Sequence, residues 1–355
     1  MGDALLMDDD RADSIRLIRE SAAGLAPRTG DLRRIRALRF QTPGFDRGVW
    51  GQMCEMGWPG LLVAEDDGGA GQGMGAYCAL TEELGAALAP EPLIGASMSA
   101  AVLRGTDLSR LLDGSALVLP AWQERANRFD VGTETIVSDG RVTGTKMFIL
   151  GAGGADGFLV AGRDGLALVA AYAAGVTLRL EKTQDGGEFG TLVLDNAPCT
   201  PVAGDLSEAL DQAALATSAY LLGAMDRVFG LTLDYLRTRQ QFGRPIGSFQ
   251  ALQHRAADLK IQVALTRASV ENAAALWDAG DSGRVAAVSR AKARASDAAM
   301  LVCRQAIQLF GGIGYTDEAD PGLFLRKAMV LMNLYGSAAL HRARFARLTP
   351  DEDDI

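Results

Sequence analysis

Along the first third of the chain, apolar residues recur every three or four positions between charged ones. That period predicts amphipathic helices over 12–23 and 45–56. A glycine-dense turn, Asp66 to Gly73, interrupts it. Another helix is expected through AYCALTEELGAAL, ended by Pro90 and Pro92, which cannot continue a helical hydrogen-bond ladder. From about Ala116 to Val202 the texture changes. Short aliphatic and β-branched runs (ALVLPAW, ETIVSD, FLVAG, LALVAAY, TLVLDN) alternate with glycine and aspartate turns, as in a compact antiparallel β domain. The stretch Lys182 to Gly187 carries turn chemistry. The helical period returns at Leu206, with Leu215, Ala219, Leu222, Met225, Phe229 and Leu233 on one stripe. Further helices are expected over 249–279, 285–309 and 323–348. Long helices with short joins predict an antiparallel four-helix bundle.

The fold class is therefore α+β and multidomain: an N-terminal α-helical domain (1–115), a middle antiparallel β domain (116–205) and a C-terminal four-helix bundle (206–355). The final DEDDI reads as a frayed acidic tail.

Composition narrows the function classes. At 355 residues and 48% hydrophobic content, the chain can bury a large core. Its net charge of −9 gives nothing that favours nucleic acid or an anionic membrane surface. The cysteines (Cys54, Cys78, Cys199, Cys303) are scattered, and there are only two histidines, His254 and His341. These are poor material for a disulfide frame, a histidine-rich metal centre or a Ser-His-Asp triad. The acidic, amphipathic N-terminus is unlike a signal peptide, and no apolar run reaches membrane-spanning length. A cytoplasmic location is expected.

Candidate chemistry concentrates in the second helical half. Gln308 to Gly312 places two glycines at a helix end, where backbone can approach a phosphate and donate amide hydrogens. Arg239, just before Phe242-Gly243, offers a charge-assisted fork for a diphosphate. Each has a plainer reading, as a helix cap or a helix stop. Both motifs together favour a phosphate-bearing ligand.

Three stretches, RTRQQFGRPIGSFQALQHR, QLFGGIGYTDEADPGLFLRKA and LYGSAALHR, resemble the C-terminal signature of acyl-CoA dehydrogenases in residues and spacing. The segments MGWPGLLVAEDDGGAGQG and EELGAALAPEP are similar to the same family, so the resemblance spans nearly the whole chain. It implies FAD as cofactor, bound through Arg239, Phe242, Gln250, Gln308, Gly311, Gly312 and Ser337. It also implies an acyl-CoA substrate and an electron-transfer flavoprotein as acceptor.

The chain departs from the family where the chemistry is done. The family's catalytic glutamate belongs to a Glu-Gly-Thr pattern that here reads Tyr335-Gly336-Ser337, so no catalytic residue is assigned. The alternative glutamate position falls near Ala213, with Asp211 the closest carboxylate. Tyrosine has a pKa of about 10 and is a poor base near neutrality. Asp226 and Asp234 read as solvated or paired. Segments that hold the flavin ring in the family also differ: PAWQERANRFD lacks the Thr-Glu-Pro pattern. In KMFILGAGGAD, Phe148 replaces a tryptophan, and Leu150-Gly151 replaces a Thr-Asn pair. In the family the diphosphate residues serve an FAD that sits mainly in a neighbouring subunit, so those look intact here while those for this subunit's own flavin look eroded. This asymmetry resembles the small subunit of heteromeric acyl-CoA dehydrogenases of the pimeloyl-CoA type, in which a homologous glutamate-bearing subunit completes a dimer or tetramer. The alternatives are a self-sufficient homo-oligomer with another base, Tyr335 or Asp211, and a non-catalytic scaffold that binds acyl-CoA or FAD.

Overall fold

The computed structural model describes the backbone of residues 2–349 and the side chains of 13–349, so the DEDDI tail lies outside the described residues. Six helices come first: α1 (Gly2–Leu25), α2 (Arg33–Leu38), α3 (Arg47–Glu55), α4 (Met74–Ala86), α5 (Leu93–Ala100) and α6 (Gly105–Leu112). The strands follow: β1 (Val118–Ala121), β2 (Ile136–Ser138), β3 (Arg141–Leu150), β4 (Gly157–Gly162), β5 (Gly165–Ala170), β6 (Val176–Lys182), β7 (Glu188–Pro198) and β8 (Thr200–Val202). Helix α7 (Ser207–Thr238) leads through a short hairpin, β9 (Gln240–Gln241) and β10 (Arg244–Pro245), to α8 (Gln250–Asp278), α9 (Arg284–Phe310), α10 (Pro321–Leu331) and α11 (Ala338–Leu348). The expected order of helices, strands and helices holds. No helix among the described residues is long and apolar enough to cross a membrane.

By compactness the chain falls into two units. One comprises the residues up to Arg33, Met74–Ala89 and the chain from Ala214; the other comprises Arg34–Gly73 and Pro90–Ala213. In the first unit, α4 and α7 cross backbone to backbone. A Cβ on Gly85 would lie 2.0 Å from the Tyr220 carbonyl oxygen, and one on Gly223 1.8 Å from that of Glu82. Only glycine permits such an approach. Helix α4 is buried almost all round, including Glu82 and Glu83. Arg28 holds both carboxylates, with Nη2 2.8 Å from Glu82 and Nε 3.0 Å from Glu83, and Arg267 adds a bond of 2.8 Å to Glu82.

The second unit contains two four-stranded sheets, ordered β1-β4-β5-β8 and β2-β3-β7-β6. Burial alternates along β7 and is nearly continuous along β4, as for a one-sided and a doubly covered strand. The antiparallel expectation needs one correction: β1 pairs parallel with β4, Val118 opposite Gly157. The intervening β2–β3 hairpin belongs to the other sheet, so the chain re-enters the first sheet running in its original direction.

A second correction concerns the bundle. The helix expected over 323–348 is two helices, broken at Met332–Ser337, where Tyr335 has φ 56 and Gly336 φ 115. The apolar period runs on through Leu331, Leu334, Tyr335 and Ala338, all buried, so periodicity alone could not show the break.

Candidate active site

The helix C-termini of α7 and α9 meet at one end of the bundle. Tyr235 and Phe310 stack there, ring centroids 4.3 Å apart and planes 10° apart. This contact brings Arg239 and the Gln308–Gly312 motif to the same place. Between α7 and α8 the β9–β10 hairpin pairs Gln241 with Arg244 and Gln240 with Pro245. Its two tip residues, Phe242 (φ 54) and Gly243 (φ 76), are both left-handed, as a tight hairpin turn requires. Phe242 is 91% exposed. The Arg244 guanidinium lies 4.1 Å over the Phe249 ring, which fixes the base of the hairpin.

These residues fit the diphosphate half of FAD. Arg239, Gln250, Gln308, Gly311 and Gly312 are all exposed. Among the described residues, no partner binds the side chains of Arg239, Gln250 or Gln308, so their donors are open to a ligand. A Cβ on Gly311 or Gly312 would meet nothing within 4 Å, and Gly311 has φ 70. The helix ends therefore present amide, guanidinium and bare backbone together, the donor set an anionic oxygen cluster needs.

Ser337 and Tyr335 lie elsewhere. Their turn packs against the middle of α9 at Lys292, sixteen residues before Gln308 and hence roughly 24 Å away at 1.5 Å per residue. Ser337 is the N-cap of α11, accepting from the Leu340 amide. Tyr335 is 9% exposed, and burial raises the pKa of its hydroxyl further above the ordinary value. A phenol so placed stays protonated at every working pH. His341 Nε2 lies 2.9 Å from the Tyr335 carbonyl oxygen. Burial pushes His341 down to about 4, so the ring is neutral. The Lys292 ammonium reaches the carbonyls of Met332 at 2.9 Å and Gly336 at 3.1 Å.

The carboxylates considered from sequence are engaged. Asp226 pairs with Arg28 at 2.7 Å and Asp234 with Arg237 at 3.2 Å. Asp211 is buried, as is Ala213. In the second unit, Phe148 (φ 59) sits at a register shift of the β3–β7 pair, its ring edge-on to Phe189 at 5.8 Å. The Gln123 side chain donates to the Arg125 carbonyl. Glu124 accepts from Lys146 at 2.7 Å and from the amides of Thr133, Glu134 and Thr135. Burial opposes ionisation of Glu124, but those bonds outweigh it and hold the carboxyl well below its usual range. Its oxygens are spent on the loop rather than offered to a ring.

Lys292, which no sequence motif singles out, is wholly buried. The available signal was a lysine on the apolar stripe of α9, in line with Val288, Ala295 and Ala299. Cys54, Cys78 and Cys303 are buried free thiols, and Cys199 is half-buried. Among the described residues no group of acidic, histidine or cysteine side chains could hold a metal.

Models of the acyl-CoA dehydrogenase N-terminal domain and C-terminal domain match residues 13–107 and 204–348. The chain belongs to the acyl-CoA dehydrogenase family, FAD-binding oxidoreductases. It is 33% identical over 325 residues to acyl-CoA dehydrogenase IpdE2 of Mycolicibacterium smegmatis, covering 91% of this chain and 93% of the relative. Among solved structures, the Tcur3481-Tcur3483 steroid ACAD superposes with a TM-score of 0.86 at 27% identity, covering 98% of this chain and 99% of that one. The ChsE4-ChsE5 complex of Mycobacterium tuberculosis superposes with 0.82 at 25% identity, covering 95% and 96%.

Proposed function

We propose that this chain is the base-lacking subunit of a hetero-oligomeric acyl-CoA dehydrogenase that introduces an α,β double bond into an acyl-CoA thioester. Bound FAD supplies the acceptor for the β-hydride. Removal of the α-proton then needs a basic side chain beside the α-carbon. The observation that carries the reading is Tyr335. At the position where the family places its glutamate stands a buried phenol whose proton is held more tightly than in water. Asp211, nearest the family's other glutamate position, is buried and already engaged in an interaction.

The chain's own contribution is binding. Arg239, Phe242, Gln250, Gln308, Gly311 and Gly312 form the clamp for a flavin diphosphate, and Ser337 belongs to a second contact at the α11 N-terminus. Two similar solved structures name two different proteins each, which supports a partner of unlike chain. Phe242, projecting 91% exposed from a short fixed hairpin, is the kind of aromatic anchor that subunit interfaces bury. Electrons leave through an electron-transfer flavoprotein.

The test is reconstitution with a glutamate-bearing homologue. Turnover should survive Tyr335→Phe in this chain within twofold and vanish when the homologue's glutamate becomes glutamine. Loss of turnover with Tyr335→Phe, at unchanged flavin content, would instead make Tyr335 part of the chemistry.

A further inference from the structure

Lys292 has no carboxylate among its hydrogen-bond partners. Its Nζ lies 2.9 Å from the Met332 carbonyl, 3.1 Å from that of Gly336, 3.4 Å from that of Leu331 and 3.0 Å from the Ser296 hydroxyl. Ser296 in turn donates to the Met332 carbonyl at 3.0 Å. Leu331 and Met332 are the last residue and the C-cap of α10. The carbonyls at a helix end have no partner within the helix and carry its negative pole. A lysine from another helix therefore supplies the cap that α10 lacks, and it also donates to Gly336, four residues beyond Met332, and to the Ser296 hydroxyl.

The two anchor points, Met332 and Gly336, bracket Tyr335. From the other side His341 holds the Tyr335 carbonyl at 2.9 Å. A Cβ on Gly336 would lie 2.3 Å from His341 Nε2, so only glycine allows the turn to close on the imidazole. The turn is thus fixed at three carbonyls, those of Met332, Tyr335 and Gly336, by two buried side chains. Immediately after it, Ser337 starts α11. Burying an ammonium without a counter-ion is costly, and here burial lowers the amine to about 7. An apolar residue would fill the same space at less cost, so the clamp is kept for the backbone shape it imposes.

We infer that Lys292 is a positioning residue of the flavin site: by clamping Met332 and Gly336 it sets Ser337 and the first turn of α11 where the cofactor meets them. The inference rests on the reading that Ser337 contacts FAD.

The experiment uses the flavin-bearing assembly and the near-isosteric Lys292→Met, which keeps the volume and removes the donors. Two quantities are measured: hydrogen exchange of the amides at 333–337, and FAD affinity followed by the flavin absorption band. The expected result is exchange at least tenfold faster in that turn, little change in α8 and the rest of α9, and FAD affinity at least tenfold weaker. Ser296→Ala leaves the amine in place, with its carbonyl partners, and removes the hydroxyl that accepts from it and donates to Met332. It should shift both quantities in the same direction by about threefold, and it carries the test if Lys292→Met does not fold. Faster exchange with unchanged FAD affinity overturns the inference and leaves Lys292 a purely structural cap. Unchanged exchange overturns it too. Arg239→Ala, run in parallel, separates the failures. If it weakens FAD while Lys292→Met does not, the reading of the cofactor site stands and only the role of Lys292 falls.

Discussion

His341 Nε2 lies 2.9 Å from the Tyr335 carbonyl oxygen, and Nδ1 lies 3.4 Å from the Ser289 hydroxyl. A carbonyl can only accept, so Nε2 carries the proton and Nδ1 accepts from Ser289. The ring must be neutral to do this, which agrees with a pKa pushed down to about 4 by burial. The folded state therefore binds fewer protons than the unfolded chain between about 4 and the ordinary ~6.5. The stabilisation is complete above ~6.5 and drains away as pH falls through about 4. Replacing His341 by phenylalanine leaves the Tyr335 carbonyl unpaired in a buried site and should cost about 1–3 kcal/mol. Denaturation at pH 7 and pH 5 checks it: the wild type weakens on acidification, and the difference between the two proteins shrinks.

Glu82 predicts a second acid-sensitive contribution. Burial works against its charge, but the hydrogen bonds from Arg267 and the charge of Arg19 outweigh that, and the carboxyl sits at about 2. Its folded pKa is lowered, so its contribution is present above ~4.3 and is lost as pH falls through about 2. Glu82→Gln removes a buried carboxylate shared by Arg19, Arg28 and Arg267, which keep Glu83 and Asp226 as partners, and should cost about 1.5–3 kcal/mol at pH 7. Thermal unfolding at neutral pH measures that loss, and the variant should show a flatter stability profile below pH 4.

Phe242 predicts an effect on assembly. With the ring 91% exposed on a fixed hairpin, Phe242→Asp should leave the chain's helix content and thermal midpoint nearly unchanged. It should weaken association with the partner by about 2 kcal/mol or more, the range of an aromatic anchor. Sedimentation velocity reads this directly.

Arg239 predicts an effect on cofactor retention. The guanidinium is exposed and its donors are open, so Arg239→Ala removes a charge-assisted contact without disturbing the core. FAD affinity should fall at least tenfold, the equivalent of about 1.4 kcal/mol, and titration of the apo-assembly with FAD gives the number.

Much of the fold was legible because apolar period and turn chemistry agree over most of the chain. The three long helices α7, α8 and α9 follow a 3.6-residue stripe, and the strands lie between glycine and aspartate turns. Two features were not legible. The parallel pairing of β1 with β4 depends on where the β2–β3 hairpin packs, a long-range choice that no local pattern records. The break after α10 is hidden because Leu331, Leu334, Tyr335 and Ala338 keep the helical period across it. The carbonyls freed at the break are taken up by a lysine forty residues earlier, on α9. In the site, the motifs around Arg239 and Gln308 were readable as motifs, and Tyr335 was readable as a missing glutamate. The roles of Lys292, His341 and Glu124 needed three dimensions, because each acts on backbone groups distant in sequence.

The proposed function requires that the base for proton abstraction come from another polypeptide. The most direct measurement is the visible spectrum of the chain, alone and co-purified with a glutamate-bearing homologue, before and after anaerobic addition of a saturated acyl-CoA. Little flavin absorption is expected from the chain alone, with no bleaching by the thioester. A full flavin spectrum that bleaches on mixing is expected once the homologue is present. A yellow homo-oligomer of this chain that is bleached by the thioester with no partner would contradict the proposed function.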